Sequence, residues 1–359
     1  MSVYNGSSYL KESIESILNQ SFTDFEFIII NDCSTDDSEN IIAEYAAQDR
    51  RVKLYNNQAN IGLTKSLNIA LNKAQGKYIA RQDADDISTG DRFAKQVPVL
   101  EQEPEVVLVS CNLDIIDSQG NFITTEKRSC DSFWIPWYLI FYNCIGGHSQ
   151  VIFRKDRAIA LGGYCEDYIY SQDYEFWCRL VKTGKMVILP EVLLKRRNHA
   201  EGITFTKRSK QLDYAFNISS RNLKYLINEE LCFKELKDLK QFWSGHINSN
   251  FPDITKLNYI DSRQRQISQA FLAKAAFVEQ DKPEIAKQLK RLIGKQFTSW
   301  VRSLSILYNL PSRIKVSQYT LNWNAKALIV FWLQEIYIRP IKMISTLVFM
   351  VFGEVRGKE

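Results

Sequence analysis

The sequence predicts an α/β fold: a mostly parallel central sheet flanked by helices, followed by a largely helical C-terminal region. Three observations carry this prediction. Short apolar runs alternate with helix-period stripes through the first half of the chain. Several runs stop at polar or acidic residues, as buried parallel strands do where they deliver side chains to a ligand crevice. Beyond about residue 205 the alternation ends, and long Lys/Glu-rich helical stretches such as 209–248 and 262–302 take over with few turn signals. The 359 residues therefore divide into a domain over 1–204 and a helical region over 205–359.

The elements follow in order. Ser7 and Ser8 are good helix-start residues, and Leu10, Ile14, Ile17 and Leu18 recur after them at helical spacing. Phe25 to Ile30 is a short apolar run ending at Asn31-Asp32, which predicts a buried parallel strand. Ser34 to Asp37 then opens a helix carrying Ile41, Ile42 and Tyr45; Ser34 and Asp36 lie in the Ser-x-x-Asp pattern of a helix cap. Val52 to Tyr55 reads as strand, and Leu67, Ala70, Leu71 and Ala74 as a helix stripe stopped by Gly76. Lys77 to Ala80 is a further strand running straight into the acidic run Asp83-Ala84-Asp85-Asp86, and Val106 to Val109 adds one more. Right-handed crossovers place Asp32 and Asp83/Asp85 at carboxyl ends of strands, converging on one crevice.

Bulk properties narrow the function. Hydrophobic residues at 45% and charged residues at 24% are globular composition, against disorder. A net charge of +5 over this length is too small for a nucleic-acid binder. Seven widely spread cysteines, an odd number without a C-x-x-C pair, fit neither a disulfide framework nor a zinc site and read as reduced cytosolic thiols. The start lacks the basic and apolar segments of a signal peptide. The apolar stretch from Ala327 to Phe352 is interrupted by Gln334, Glu335, Arg339, Pro340 and Lys342, so it is expected to lie on a membrane surface or pack on the protein, not to cross a bilayer.

The acidic run carries the chemistry. A diphosphate needs neutralising, yet the chain has neither G-x-G-x-x-G nor G-x-x-x-x-G-K-[ST]. The other common solution is a divalent cation held by carboxylates. Asp83 and Asp85 lie two apart just past a strand, so an extended backbone points both the same way, and hard oxygen ligands favour Mg²⁺ or Mn²⁺. The competing reading is a solvated acidic loop; the position at a strand end favours the ligand reading.

Taken together, these segments resemble a bacterial family 2 glycosyltransferase of the glycosyltransferase A fold, of surface-polysaccharide type. The matching text is Val3 to Gly6, Ile30 to Asp36, Asn60 to Gly62, Gly76 to Asp86 and Gln172 to Trp177, in the family's order over residues 1 to about 204. The resemblance implies roles. Val3, Tyr4, Asn5 and Asp32 hold the nucleotide base, Arg81 and Asp83 contact the donor's nucleotide part, and Asp85 binds the metal beside Asp83. Asp173 matches the catalytic base, although as a bare residue it also reads as a helix N-cap. Gln172 stands where many relatives have Glu. Lys195 to His199 aligns with a stretch that returns to the phosphates, so Arg197 is expected at the leaving diphosphate and His199 as a metal ligand, against a solvated basic loop. His148 falls near the acceptor side, where packing is an equal reading, and His246 is expected to be structural.

The activity so implied is an inverting, metal-dependent transfer from a nucleoside-diphosphate sugar, UDP-sugar first, to a saccharide or lipid-linked acceptor in cell-surface polysaccharide synthesis. The implied location is the cytoplasm, peripheral on the inner face of the membrane. A sugar nucleotidyltransferase is the enzymatic rival, but the glycine- and lysine-rich loop it needs is not in this sequence. A non-catalytic, carbohydrate-binding relative is the other alternative. It draws on the start: relatives carry an apolar strand before the segment matching Val3-Tyr4-Asn5, and here that strand is expected to be cut short; Met1 as an internal methionine of a longer strand keeps the enzyme reading, whereas a missing strand favours the non-catalytic one.

Overall fold

A computed structural model describes residues 1–128, 131–200, 202, 206–248, 253–274, 279–303 and 310–333. The chain divides into two compact units, Met1–Arg221 and Asn222–Glu359.

The first unit starts with parallel strands and crossover helices. β1 (Ser2–Val3), β2 (Phe27–Asn31) and β3 (Val52–Asn56) pair side by side in that order, with α1 (Ser7–Leu18) and α2 (Ser38–Gln48) between them in the chain. β2 is buried at all five positions, as its β-branched Ile28-Ile29-Ile30 run requires. β1 has only two residues; ahead of it, Met1 is buried, and its terminal nitrogen donates to the Ile28 carbonyl at 2.9 Å.

After α3 (Leu63–Lys73), the chain enters a second sheet. Its members are β4 (Tyr78–Ala80), β5 (Ile87–Ser88), β6 (Val106–Ile116), β7 (Phe122–Glu126), β8 (Ile152–Arg154) and β9 (Lys185–Arg197), ordered β4-β8-β6-β9-β5 with β7 also on β6. Here the prediction of a mostly parallel sheet is refined. β6 and β9 are parallel, but β8 and β7 run antiparallel to β6, and β5 antiparallel to β9. An apolar run records burial and not direction; β7 returns through the tight Asp117–Asn121 turn, which forces antiparallel pairing. A cavity of about 620 Å³ is lined in part by Met1, Phe27, Ile28, Ile79, Ala80 and Phe93, and Ile79 of β4 packs against Ile28 and Ile30 of β2.

Helices α4 (Arg92–Gln102), α5 (Ile135–Tyr138), α6 (Lys155–Ala160) and α7 (Gln172–Leu180) complete the unit around two cores. One gathers Leu10, Ile14, Ile29, Ile42, Leu100 and Val109; the other packs Leu108, Phe153, Tyr174, Phe176, Trp177 and Ile218.

Ile218 belongs to α8 (Arg208–Ile227), so the first turns of this helix are part of the first unit. Ser219 Oγ lies 3.1 Å from the Tyr174 hydroxyl, and Arg221 pairs at 2.9 Å with Glu175, which also binds Arg179 at 2.7 Å. The boundary expected from sequence at 204/205 marks the change in composition; compactness divides the chain inside α8, after Arg221, because the contacts of Ile218, Ser219 and Arg221 hold the helix to the first unit up to there.

The second unit holds α9 (Phe233–Asn248), α10 (Leu257–Lys274), α11 (Lys282–Ser303) and α12 (Leu310–Leu333) around Phe242, Trp243, Phe297 and Trp300. Arg263 clamps Glu229 at 2.7 Å, and Gln264 accepts from the Trp243 indole at 3.3 Å. Among the described residues no helix is long and apolar enough to cross a membrane. The stretch from 334 onward lies outside the described residues, as does the side-chain packing of 327–333. Six described cysteines, Cys33, Cys111, Cys144, Cys165, Cys178 and Cys232, are free thiols.

Gly184 is where β9 begins beside β6. A Cβ there would run into the Glu105 carbonyl and Val107, and Lys185 N–H donates to that same carbonyl at 2.8 Å. Gly184→Ala is therefore expected to destabilise the first unit by about 1–3 kcal/mol, read as a lower denaturation midpoint. An unchanged midpoint would show that the strand pair gives way without cost.

Candidate active site

The acidic run follows β4, but its backbone turns at Ala84-Asp85 instead of staying extended. The expectation that Asp83 and Asp85 point the same way is corrected on that ground. Asp83 is directed to Arg81, whose guanidinium meets it at 2.5 Å, and accepts from Ser149 Oγ at 3.0 Å. Asp85 is directed to His199, whose Nε2 lies 2.9 Å from Oδ2. Asp86 is buried, and its Oδ1 accepts the Arg197 backbone N–H at 3.1 Å, joining the loop to the end of β9.

The loop is stitched from beneath. Ser13 Oγ, on α1, donates to the Asp83 carbonyl at 2.8 Å, and Gln82 Nε2 donates to Asp86 O at 2.7 Å. Arg92, wholly buried at the start of α4, donates to the carbonyls of Arg81 and Ser149. Burial lowers the Arg92 guanidinium to about 10, still ionised at neutral pH.

The carboxyls titrate apart. Burial alone would raise Asp83, but the Arg81 guanidinium overrides it and holds the carboxyl below its ordinary value. Asp85 goes up, through burial and then the Asp83 charge, with His199 opposing. Asp86 is raised well above the ordinary value by burial and by the charges of Asp85 and Asp83.

Asp173 is the second residue of α7, behind Gln172; the N-cap is Ser171, at a left-handed φ of 52°, so Asp173 is not the cap that its bare sequence context suggests. Its Oδ1 accepts the Tyr174 N–H at 2.7 Å, and its Oδ2 accepts from Asn143 Nδ2 at 3.1 Å. Burial raises the carboxyl to about 6; the Asp83 charge adds to this, and the two hydrogen bonds oppose it. Asp173 and the acidic loop thus share one electrostatic environment. His148 is buried against Tyr164 and Trp177, and burial lowers it to about 3, so it stays neutral.

The remaining predicted residues sit on the β1 and β2 side. Asp32 is buried, and its carboxylate accepts from Asn57 at 2.7 Å, Ile61 N–H at 3.0 Å and Gly62 N–H at 2.8 Å. Val3 O accepts Asp32 N–H at 2.8 Å; Tyr4 is 53% exposed, leaving its ring face free for contact. Asn5, at a left-handed φ of 50°, accepts from Thr35 N–H at 2.8 Å and donates its own N–H to Ser34 Oγ at 3.1 Å.

Two expectations change here. Ser34 does not cap α2, and its N-cap position, Asp37, makes no side-chain bond; Asp36 serves both helices, its Oδ1 accepting Ser38 N–H at 3.1 Å at the start of α2 and its Oδ2 accepting Ser7 N–H at 3.0 Å at the start of α1, because the chain folds Asn5–Ser7 back over 34–38. Arg197 does not face the crevice. Its side chain is 2% exposed and its guanidinium is taken up by Glu12 at 2.5 Å, Asp85 O at 3.2 Å, and the carbonyls of Asp117 and Ser118. Its place at the end of β9 turns it under the loop, so it braces the acidic run. Ser149, Asn143, Tyr9 and Glu12 join the site without a sequence signal; Tyr9, 5.0 Å from the His199 ring and 4.6 Å from Arg197, carries no motif that would mark it.

Among the described residues no group of three or more His, Cys, Asp and Glu side chains forms a metal cage. Asp85 and His199 offer an oxygen and a nitrogen, with Asp83 close by. That set fits a cation that takes its other ligands from water and phosphate, as Mg²⁺ and Mn²⁺ do.

The α/β domain carries an acidic loop at a strand end, with the buried Asp173 carboxyl in the field of Asp83, and its relatives make it a glycosyltransferase. The chain belongs to glycosyl transferase family 2, whose family model matches residues 1–158. It is similar to the putative glycosyltransferase EpsE of Bacillus subtilis, 44% identical over 63% of this chain and 79% of that protein. It is also similar to the O-antigen biosynthesis glycosyltransferase WbnJ of Escherichia coli, 34% identical over 55% of this chain and 78% of that one. Two solved structures share the fold. S. aureus TarS 1–349 in complex with UDP-GlcNAc has a TM-score of 0.54 at 15% identity, covering 89% of this chain and 90% of that one. The mannosyltransferase PcManGT of Pyrobaculum calidifontis, in complex with GDP-Man and Mn²⁺, has a TM-score of 0.50 at 17% identity, covering 94% and 85%.

Asp36 supplies a pH test of the loop that precedes α1. Burial would raise its carboxyl, but the bonds from Ser38 and Ser7 prevail and hold it at about 2, against 3.8 for the free group. A depressed value stabilises the fold above the unfolded pKa, and that stability is lost as pH falls from about 4 towards 2. Asp36→Asn should lower the melting temperature at pH 7 and flatten its decline between pH 4 and 2. A decline as steep as that of the unmutated protein would remove Asp36 from this role.

Proposed function

We propose that this glycosyltransferase moves a sugar, with inversion, from a nucleoside-diphosphate sugar to a hydroxyl of a saccharide or lipid-linked acceptor in surface-polysaccharide synthesis. A UDP-sugar is the first donor to try. The observation that carries the reading is Asp173. It is a buried carboxyl with a pKa of about 6, within the field of Asp83, so a proton acceptor and the acidic loop serve one crevice.

In this reading Asp173 takes the proton from the acceptor hydroxyl as it attacks the anomeric carbon. Its pKa suits a general base, being above that of a free aspartate and hence more basic, yet leaving the group mostly ionised at neutral pH. Asp85 and His199, with Asp83 beside them, hold the divalent cation, Mg²⁺ or Mn²⁺. A bound cation supplies charge neutralisation to the departing diphosphate. Arg81 keeps Asp83 ionised and fixed on the nucleotide side, and Arg197 braces the loop from below. Tyr4 offers an exposed ring to the base, beside Val3 and Asn5. Asp32 acts through the Asn57–Gly62 loop that its carboxylate gathers. The nucleotide sugars bound by TarS and PcManGT, and the O-antigen role named for WbnJ, support the donor and acceptor classes. The apolar and basic C-terminal stretch supports a place on the inner face of the membrane, near lipid-linked acceptors.

The deciding experiment incubates the protein and Mn²⁺ with a panel of nucleotide sugars and an acceptor mixture, scoring released nucleotide. Asp173→Asn should abolish transfer, about 10²–10⁴-fold, while leaving donor affinity in place. Asp85→Asn should abolish transfer and also weaken donor binding when the cation is present. Near-normal turnover by Asp173→Asn would end the base assignment. The pH profile gives a second check: the base must be ionised, so kcat/KM should climb as pH rises through about 6 and level off above it. A profile flat from pH 5 to 8 would contradict a carboxylate base at this site.

A further inference from the structure

Asp173 has one partner that the mechanism above does not use. Asn143 lies in the loop between α5 and β8, with its amide held at both ends. Its Oδ1 accepts the backbone N–H groups of Ile145 at 3.2 Å and Gly146 at 3.4 Å, so the oxygen is turned into its own loop. The nitrogen is left to face outward; it donates to Gly146 O at 3.0 Å and to Asp173 Oδ2 at 3.1 Å. The amide orientation follows from these four bonds, since the flipped form would set an oxygen against the carboxylate.

The loop that carries Asn143 is itself locked. Gly146 has a φ of 107°, and a Cβ there would collide with the Gln150 side chain, whose Oε1 accepts Gly147 N–H at 2.7 Å. Gln150 Nε2 in turn donates to the Cys111 carbonyl on β6. The donor facing Asp173 is therefore tied through a short chain of bonds to the centre of the second sheet.

We propose that Asn143 is the positioning residue for Asp173: it fixes the carboxylate's rotation and leaves one lone pair of Oδ2 for the acceptor hydroxyl. This rests on the reading of Asp173 as the base. The carboxylate is held at two points, Oδ1 by the Tyr174 N–H and Oδ2 by the Asn143 amide, so it is not free to spin about its terminal bond. An amide serves here better than a cation would. Lys or Arg at this place would orient the carboxylate but hold it ionised at low pH and blunt its basicity. Asn donates without a formal charge. Asp83 from the acidic loop and the Tyr164 phenol after α6 also feel Asp173; among the described residues the hydrogen bonds to its carboxylate come from the Asn143 amide and the Tyr174 N–H, so orientation falls to the amide and the helix N-terminus.

The test is the pH profile of sugar transfer in two variants, with Asp173→Asn as control. Asn143→Ala removes the donor, so the ionised base loses stabilisation. The rising limb should move to higher pH and the plateau kcat fall about 10–100-fold, with KM for the donor unchanged. Asn143→Asp keeps the side-chain shape and sets a like charge against the base; its limb should move further up. Should Asn143→Ala fail to fold, as judged by its melting curve, the isosteric Asn143→Asp decides alone. A merely structural Asn143 would depress transfer equally at every pH. If both variants fold and their limbs stay with the unmutated enzyme while Asp173→Asn is inactive, the positioning role is overturned and the base assignment survives. If Asp173→Asn itself keeps turnover, the base reading falls and this role falls with it.

Discussion

The ion pair between Arg81 and Asp83, 2.5 Å apart with the guanidinium almost wholly shielded, is the constraint on which the site depends. Removing Asp83 would strand the shielded Arg81 charge, whereas Asp83, with 35% of its side chain exposed, is partly screened by water. The pair's larger consequence is electrostatic. Arg81 keeps Asp83 ionised; burial is the main cause that raises Asp85, Asp86 and Asp173, and the fixed negative charge of Asp83 raises each of them further. Burial and one pinned carboxylate together spread the proton affinities of four aspartates, the pattern by which chemically identical groups acquire different roles. Ser149 and Arg92 tie the pair to the start of β8, so its position is inherited from the sheet and not from the loop.

Much of this is legible in the sequence where the signal is local. The strand Phe27–Asn31, the α3 stripe and the strand into Asp83 follow from periodicity and from where each apolar run stops. The conjunction of Asp85 with His199 is also foreseeable, although 114 residues separate them, because the family resemblance aligns both segments. What cannot be read is anything that depends on side-chain direction after a turn. The Asp-x-Asp spacing suggests two carboxylates on one face only if the backbone stays extended, and it turns. Arg197 looks like a phosphate ligand because its neighbours are basic. Its depth beneath the loop is decided by Glu12 on α1 and by two carbonyls of the β6–β7 turn, partners with no sequence proximity. Ser149 and Asn143 belong to the same class: ordinary polar residues, made consequential by what the sheet sets opposite them.

The fold refinement has a similar origin. Parallel pairing in β1–β3 and between β6 and β9 builds the crevice, whereas the antiparallel members β5, β7 and β8 bring the chain back to it. β8 follows directly on the His148–Gln150 turn, and β9 ends at Arg197 beside Asp86. Supporting residues therefore reach the acidic loop where strands reverse, and a sheet read only from burial would lose them.

Glu175 has a practical bearing on anyone who wishes to shorten this enzyme. Composition changes near residue 205, and a catalytic fragment cut there would look sensible on paper. It would strip away Arg221 and leave Glu175 with Arg179 as its remaining counter-ion, while uncovering the core that Ile218 fills and removing Ser219, which meets the Tyr174 hydroxyl alongside the Leu139 carbonyl. Tyr174 and Glu175 follow Asp173, the residue proposed as the base, directly on α7. A minimal active piece has to run past Arg221. The helical tail is thus partly upholstery for the active site, and its first fourteen residues, Arg208 to Arg221, belong to the enzyme whatever the remainder proves to do.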